Sequence, residues 1–181
     1  MHKLSMDELN RKSVQGFRAA EKNPIVVVLD NIRSMHNVGS VFRTADAFLI
    51  QQLILCGYTP RPPHRDIEKT ALGATDTVHW KYCTTTVEAI AELRLQHYTV
   101  FAVEQTSESV QLDRFTSGGQ PVALIFGNEV HGVQQEVLNL CDGSIEIPQT
   151  GMKHSLNISV AAGIVLWELV RTTMNKQRNF L

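Results

Sequence analysis

The sequence predicts an α/β fold with a mainly parallel sheet flanked by helices. Residues 25–29 and 121–126 are continuous apolar runs, which are typical of strands buried on both faces of a parallel sheet. Such runs alternate along the chain with segments of helical periodicity, the order that produces parallel β-α-β units. Polar turns follow several of the apolar runs. Because open α/β sheets bind ligands at the carboxyl ends of their strands, these turns are candidate site loops.

Residues 1–23 are predicted to be an N-terminal helical extension, and residues 24–181 to be the main domain. Ser5 and Glu8 match a capping box, and sparse apolar positions follow them. The extension carries charges of both signs, so it is either a solvated surface helix or an arm that grips RNA.

After the strand at 25–29, the next predicted element is a helix over residues 37–49. Its apolar side chains fall on one side at 100° per residue. Gly39, Arg43 and Asp46 fall on another side, and the glycine would let a group approach the backbone. Periodicity alone favours a surface arginine paired with Asp46.

The middle of the chain is predicted to hold strands at 53–56, 77–83 and 98–103, with helices at 67–74 and 86–96. The strand at 77–83 alternates between polar and apolar residues, which is typical of an edge strand. The loop at 57–66 contains three prolines and three basic side chains. It is either a rigid connection or a lip that contacts phosphate.

The central block covers residues 121–163. Its buried strand ends in Gly127-Asn128-Glu129; a helix at 133–140, a strand at 144–148 and a final helix to about residue 174 follow. The first half of the final helix is apolar on nearly every side, so it packs either against a partner subunit as well as the sheet or in the core of a monomer. The residues predict a ligand site built from the loops 104–106, 127–132 and 147–157.

Composition limits the function classes. With 181 residues, 43% of them hydrophobic, the chain is expected to form one domain, and its net charge of −1 counts mildly against extensive phosphate binding. The three cysteines are far apart, which favours a reduced, cytoplasmic protein with no zinc site. No histidine pair has metal-ligand spacing, and no run is long enough for a membrane span. Phosphate-loop, dinucleotide-binding and nucleophile-elbow patterns are missing from the sequence.

Three ordered motifs resemble the SpoU/TrmH family of RNA 2′-O-ribose methyltransferases in the SPOUT superfamily. The first is Asn37-x-Gly39-x-x-x-Arg43-Thr44-Ala45 after a strand. The second is Ile125-Phe126-Gly127-Asn128-Glu129-x-x-Gly132. The third joins Ile145-x-Ile147-Pro148 to Ser155-Leu156-Asn157-x-Ser159-Val160-Ala161. The resemblance covers roughly residues 24–174.

This resemblance implies a C-terminal trefoil knot, a homodimer and S-adenosylmethionine (AdoMet) as methyl donor. It also implies which residues form the site. The catalytic residues would be Arg43, Asn37, Glu129, Ser155 and Asn157. The cofactor pocket would use Val103, Glu104, Gly127, Ile147, Pro148, Met152, Ser155 and Leu156.

Family precedent gives Arg43 the task of activating the ribose hydroxyl, from across the dimer interface. Because arginine is an unlikely free base, we expect it to grip a phosphate and stabilise the forming alkoxide. Glu129 as a helix-start carboxylate and Ser155 as a helix N-cap are the structural alternatives. The resemblance implies tRNA or rRNA as substrate, with tRNA slightly preferred. The alternatives are a catalytically silent RNA-binding or ribosome-assembly factor and an AdoMet enzyme that acts on other molecules.

Overall fold

The computed structural model describes residues 1–5, 8–9, 12–152 and 155–178, with side chains described up to residue 171. The strands are β1 (Asn23–Asp30), β2 (Ile50–Cys56), β3 (Trp80–Cys83), β4 (Thr99–Val103), β5 (Val110–Gln111), β6 (Val122–Phe126) and β7 (Gly143–Glu146). The helices are α1 (Val14–Ala19), α2 (Met35–Ala47), α3 (Arg65–Ala71), α4 (Ala74–Thr77), α5 (Thr86–Leu95), α6 (Gln135–Leu138) and α7 (Ile158–Arg178).

The strands form one sheet in the order β3-β2-β1-β6-β4-β7-β5, and every strand pair in it is parallel. The predicted parallel sheet is therefore confirmed. Because β6, β4 and β7 are neighbours, the loops that follow them leave the same edge of the sheet side by side. This explains why three loops far apart in sequence meet at one place.

Hydrophobic clusters cover both faces of the sheet. Val27 and Leu29 point to the face covered by α2 and α7, whereas Val26 and Val28 point to the face covered by α5. Side chains alternate between the faces of a strand, so a strand covered on both sides must be apolar at every position. The continuous run at 25–29 has this origin.

The N-terminal segment is less helical than predicted. Among its described residues the helix is limited to Val14–Ala19, although Ser5 and Glu8 do make the two hydrogen bonds of a capping box, at 2.7 and 3.4 Å. Phe17 is buried in the core that α2 and α7 cover, and the guanidinium of Arg18 donates to the carbonyl of Asp76 at 2.7 Å. The segment thus packs on the main domain.

Several element bounds differ from the prediction. The strand expected at 77–83 starts at Trp80 because Thr77 ends helix α4, but it is an edge strand as predicted. The helix expected at 133–140 is the single turn α6. The final helix begins at Ile158, after the polar stretch that the sequence placed at its start. The two-residue strand β5 was not predicted, because so short a strand leaves no periodic pattern.

The three cysteines are free thiols, in line with the prediction that no disulfide forms. Cys56 is fully buried, and this burial raises the pKa of its thiol to about 12. Across the described residues, no helix has both the length and the apolar character needed to cross a membrane.

Candidate functional site

A cavity of about 760 Å³ opens at the carboxyl edge of β4, β6 and β7. All three predicted loops contribute to its wall. Of the site residues predicted from the sequence, those that line it are Val103, Glu104, Gly127, Glu129, Ile147, Ser155, Leu156 and Asn157. The walls mix apolar side chains with a few polar ones, as small-molecule sites do.

Four predicted site residues lie outside the cavity wall. Pro148 and Met152 do not line it, and the Met152 side chain is 84% exposed in the loop after β7. Asn37 touches the site only through hydrogen bonds to residues of the wall. Arg43 is exposed on α2, six residues beyond Asn37, which is roughly 9 Å along a helix axis.

A continuous hydrogen-bonded chain runs along the cavity mouth. The side-chain amide of Asn157 donates to Asn37 Oδ1 at 3.1 Å, and Asn37 Nδ2 donates to Glu129 Oε1 at 3.2 Å. Glu129 also accepts the backbone N–H groups of Arg33 and Ser34, at 3.0 and 3.2 Å. We call Glu129, Asn37 and Asn157 the mouth network. It ties together the N-terminus of α2, the turn after β6 and the start of α7.

Glu129 is held as a carboxylate. Partial burial raises its pKa, but the N–H groups of Arg33, Glu129 itself and Ser34, with the Asn37 amide, outweigh burial and set the pKa below the ordinary value. At neutral pH the group is therefore charged and accepts hydrogen bonds. Glu129 is also a helix-start carboxylate, but for α2 and not for α6, because it accepts the backbone N–H of Ser34, the N-cap of α2.

Asn157 caps the final helix. Its Oδ1 accepts the backbone N–H of Ser159 at 2.9 Å and the Ser159 hydroxyl at 2.7 Å, and its carbonyl accepts the N–H of Ala161. The alternative that Ser155 is the cap is therefore wrong, since the helix starts two residues later than that alternative requires. Ser155 is exposed on the cavity wall.

The turn after β6 owes its shape to two glycines and one carboxylate. Residues Asn128 and Gly132 pair through backbone hydrogen bonds of 3.1 and 2.9 Å, so the turn folds back over Gly127. A Cβ on Gly127 would lie 2.2 Å from the carbonyl carbon of Gly132. Glu104 accepts the N–H of Val133 at 3.0 Å and thereby fixes the turn against the loop after β4.

Sequence reasoning assigned no role to Asn128, which the structure places at the centre of this turn. Asn128 is 7% exposed, and its Nδ2 donates to the carbonyl of Asn31 at 2.7 Å and to the Tyr58 hydroxyl at 2.8 Å. Its Oδ1 accepts the N–H groups of Val130 and His131. Its place between Gly127 and Glu129 was the available signal, but its distant partners were not visible in the sequence.

The predicted pair of Arg43 with Asp46 does not form. Asp46 instead accepts a short hydrogen bond from the Thr77 hydroxyl, which α4 brings to it. Arg43 makes no hydrogen bond or ion pair with any residue that the structure describes. The close approach at Gly39 is made by α3: a Cβ there would lie 2.2 Å from the carbonyl oxygen of Ile67.

Metal ligation finds no support in the part of the chain that the structure describes, where no group of three histidine, cysteine or acidic side chains is placed to hold an ion. His154 lies outside the described residues.

The fold and the three-loop cavity are those of an α/β domain with a ligand site at the carboxyl edge of its sheet, and the comparison with known families identifies its class. The sequence pattern of the SpoU rRNA Methylase family matches residues 24–167. The chain belongs to this family, so the predicted resemblance is confirmed.

Two relatives of known activity and one solved structure illustrate the likeness. The 23S rRNA (guanosine-2′-O-)-methyltransferase RlmB of Haemophilus influenzae is 32% identical over 166 residues, which are 91% of this chain and 66% of the relative. The tRNA (guanosine(18)-2′-O)-methyltransferase of Thermus thermophilus is 30% identical over 164 residues, which are 91% of this chain and 83% of the relative. An AdoMet-bound rRNA methyltransferase from Sinorhizobium meliloti superposes with a TM-score of 0.78 at 29% identity, covering 87% of this chain and 60% of that one. The chain thus spans about two thirds of the length of the Haemophilus relative.

Proposed function

We propose that the protein is an AdoMet-dependent methyltransferase that modifies a ribose 2′-hydroxyl of tRNA or rRNA. The observation that carries the proposal is the mouth network, which sets a fixed carboxylate and two amides at the opening of a three-loop cavity. Membership of the SpoU family and relatives named for 2′-O-methylation support the same reaction. The relatives include both rRNA- and tRNA-modifying enzymes, at 32% and 30% identity, and tRNA is slightly preferred as the proposed substrate.

The cavity fits the proposed cofactor. Its volume of about 760 Å³ lies in the range of pockets for ligands of this size. Val103, Ile147 and Leu156 offer apolar contact for an adenine ring, and the backbone of the surrounding loops supplies donors and acceptors. When bound, AdoMet supplies an electrophilic methyl group. Gly127, Glu104 and Ser155 would complete the pocket, and Pro148 and Met152 would contribute through the loop that carries them.

The mouth network would orient the acceptor ribose. An alcohol is a poor nucleophile at neutral pH, so it must be held in line with the methyl carbon and lose its proton during attack. Glu129 is charged and already engaged by four donors, so its proposed role is to fix Asn37 and the Arg33 backbone. Asn157 would fix the start of α7 against the cavity mouth.

Arg43 would act from a second copy of the chain. Its guanidinium has no partner among the described residues and does not line the cavity of its own chain. It would bind a substrate phosphate and stabilise the alkoxide that forms as the hydroxyl loses its proton.

The proposed homodimer has a matching surface on α7. Val160, Ile164 and Trp167 recur at helical spacing, and between 38% and 51% of each is exposed. We call these three residues the α7 stripe. A C-terminal trefoil knot, a cytoplasmic location and a role of residues 1–23 as an extension of the domain at 24–181 belong to the same proposal.

Transfer of tritiated methyl groups from AdoMet to total tRNA and total rRNA tests the proposal. We expect label in 2′-O-methylated nucleosides after digestion, and a loss of at least about a hundredfold in rate for Arg43→Ala. Arg114→Ala, an exposed arginine on the turn after β5, is the control and should keep full activity. Tight RNA binding without AdoMet affinity would favour the silent RNA-binding factor, whereas AdoMet binding without label in any RNA would favour an enzyme that acts on other molecules.

A further inference from the structure

A second cleft, of about 460 Å³, adjoins the cavity. It is lined by Arg33, Met35, Tyr58, Pro60, Asn128 and His131, and we call it the Tyr58 cleft. Asn128 and His131 also line the larger cavity. The two spaces therefore meet at the turn after β6, beside the mouth network.

Tyr58 is an aromatic ring that is exposed and yet fixed. The residue is 59% exposed, but its hydroxyl accepts a hydrogen bond of 2.8 Å from Asn128 Nδ2. Its backbone N–H donates to Asn31 Oδ1 at 3.2 Å. Because Asn128 is itself buried and bonded on every side, the ring is held in one place on the surface. Pro60 and Met35 add apolar surface to the same cleft.

Arg33 places a cation on the rim of the same cleft. Its backbone N–H is bound by Glu129 at 3.0 Å, so the residue is tied to the mouth network. Its guanidinium is exposed and has neither a hydrogen bond nor an ion pair with the residues described in the structure. A fixed aromatic face beside an unpaired cation is the combination that binds an unstacked base together with its phosphate.

From these contacts we infer that the Tyr58 cleft binds an unpaired nucleobase of the RNA, next to the nucleotide whose ribose faces the cavity. The base stacks on Tyr58, and the guanidinium of Arg33 contacts the adjoining phosphate. This inference rests on the proposed function and adds to it a recognition subsite: the enzyme takes its substrate from a single-stranded loop. A duplex cannot offer an unstacked base to this cleft.

Two substitutions at one position test the stacking. Tyr58→Phe and Tyr58→Leu both remove the hydroxyl from Asn128, and they differ in whether an aromatic face remains. We expect the phenylalanine variant to bind a labelled RNA hairpin with an unpaired loop within about twofold of wild type, and the leucine variant to bind at least about fivefold more weakly. Affinity is measured by fluorescence anisotropy with saturating S-adenosylhomocysteine. A blunt RNA duplex is the control ligand, for which the two variants should be equal.

Arg33→Gln tests the phosphate contact. Loss of one such contact should reduce the slope of log K against log salt by about 0.7 for the hairpin with the unpaired loop. Arg114→Gln is the matched control and should leave the slope unchanged. AdoMet affinity, measured by calorimetry, should be the same in every variant, because none of these side chains lines the larger cavity.

Equal hairpin affinity of the phenylalanine and leucine variants overturns the inference, and methyl transfer by the wild type would then leave the proposed function standing. A wild type that binds AdoMet but neither binds nor methylates RNA removes the proposed function, and the inference with it.

Discussion

At the scale of single residues, the direction of each amide in the mouth network follows from its neighbours. Asn157 Oδ1 is engaged by the N–H and hydroxyl of Ser159, so its Nδ2 must face Asn37. The oxygen of Asn37 is then occupied, and its Nδ2 must face Glu129. A change at the helix cap is therefore transmitted to a carboxylate on another loop.

The pH dependence of stability should report on Glu129. Because its folded pKa is lowered, its contribution is fully present above the ordinary pKa of 4.5 and is lost as the pH falls through the folded pKa. Glu129→Gln should lower the free energy of unfolding at pH 7 by up to about 1 kcal/mol, allowing for solvent screening. Urea unfolding at pH 7 and below the folded pKa would measure this, and the difference should vanish at the acid end.

Glu136→Gln is the control for this change. Glu136 is exposed on α6 and has no hydrogen bond or ion pair to any described residue. It should leave stability unchanged at both pH values. An equal loss of unfolding free energy in the Glu129 and Glu136 variants would show that the surroundings of Glu129 do not stabilise its charge.

Two substitutions of Asn157 should distinguish its role as the N-cap of α7 from its role in the mouth network. Asn157→Ala removes both and should cost about 1 kcal/mol of unfolding free energy. Asn157→Ser keeps a cap oxygen but has no amide to donate to Asn37. We expect the serine variant to keep the melting temperature of wild type while its methyl transfer falls about as much as that of the alanine variant. Full activity of the serine variant would contradict a role for the amide.

The sequence allowed the mouth residues to be named but not their partners. Asn37, Glu129 and Asn157 were named because they lie in the motifs that resemble the SpoU/TrmH family. That Glu129 bonds to the start of α2, 92 to 96 positions away, depends on which strands are neighbours. The prediction that Arg43 pairs with Asp46 was wrong because it also depended on a tertiary contact. Helix α4 brings the Thr77 hydroxyl to Asp46.

At the scale of elements, the predicted strands agree best where a strand is covered on both faces. Residues 25–29 and 121–126 were located within two positions of β1 and β6. Elements whose form depends on tertiary contacts were located less well. The turn at 128–132 is held by Glu104 and Gly127, so it leaves only one helical turn for α6.

Gly127→Ala should disrupt the cavity without unfolding the sheet. The new Cβ would lie 2.2 Å from the Gly132 carbonyl carbon and 2.3 Å from the Val133 nitrogen, so the turn must move. We expect AdoMet affinity to fall at least about tenfold by calorimetry. Gly151→Ala is the control, because its Cβ would meet no atom within 4 Å. Unchanged AdoMet affinity in the Gly127 variant would show that the turn after β6 is not part of the cofactor site.

At the scale of the whole molecule, the α7 stripe is a surface that one chain leaves uncovered. Trp167 is 51% exposed although its ring lies 6.0 Å from that of Phe48. Trp167→Glu should shift the protein from dimer to monomer in sedimentation velocity and abolish methyl transfer. Leu95→Glu, at an 82% exposed leucine of α5, should leave the mass unchanged. A wild type that sediments as a monomer would contradict the proposed pairing.

The central claim is that one active site combines the cavity of one chain with Arg43 of another. Methyl transfer by an equal mixture of Arg43→Ala and Asn157→Ser chains, unfolded and refolded together, tests it most directly. Half of the dimers are then mixed, and each mixed dimer holds one site with both residues intact. The mixture should therefore recover about a quarter of wild-type activity, well above the activity of either variant alone. No recovery in mixed dimers of confirmed composition would show that Arg43 does not act across the interface.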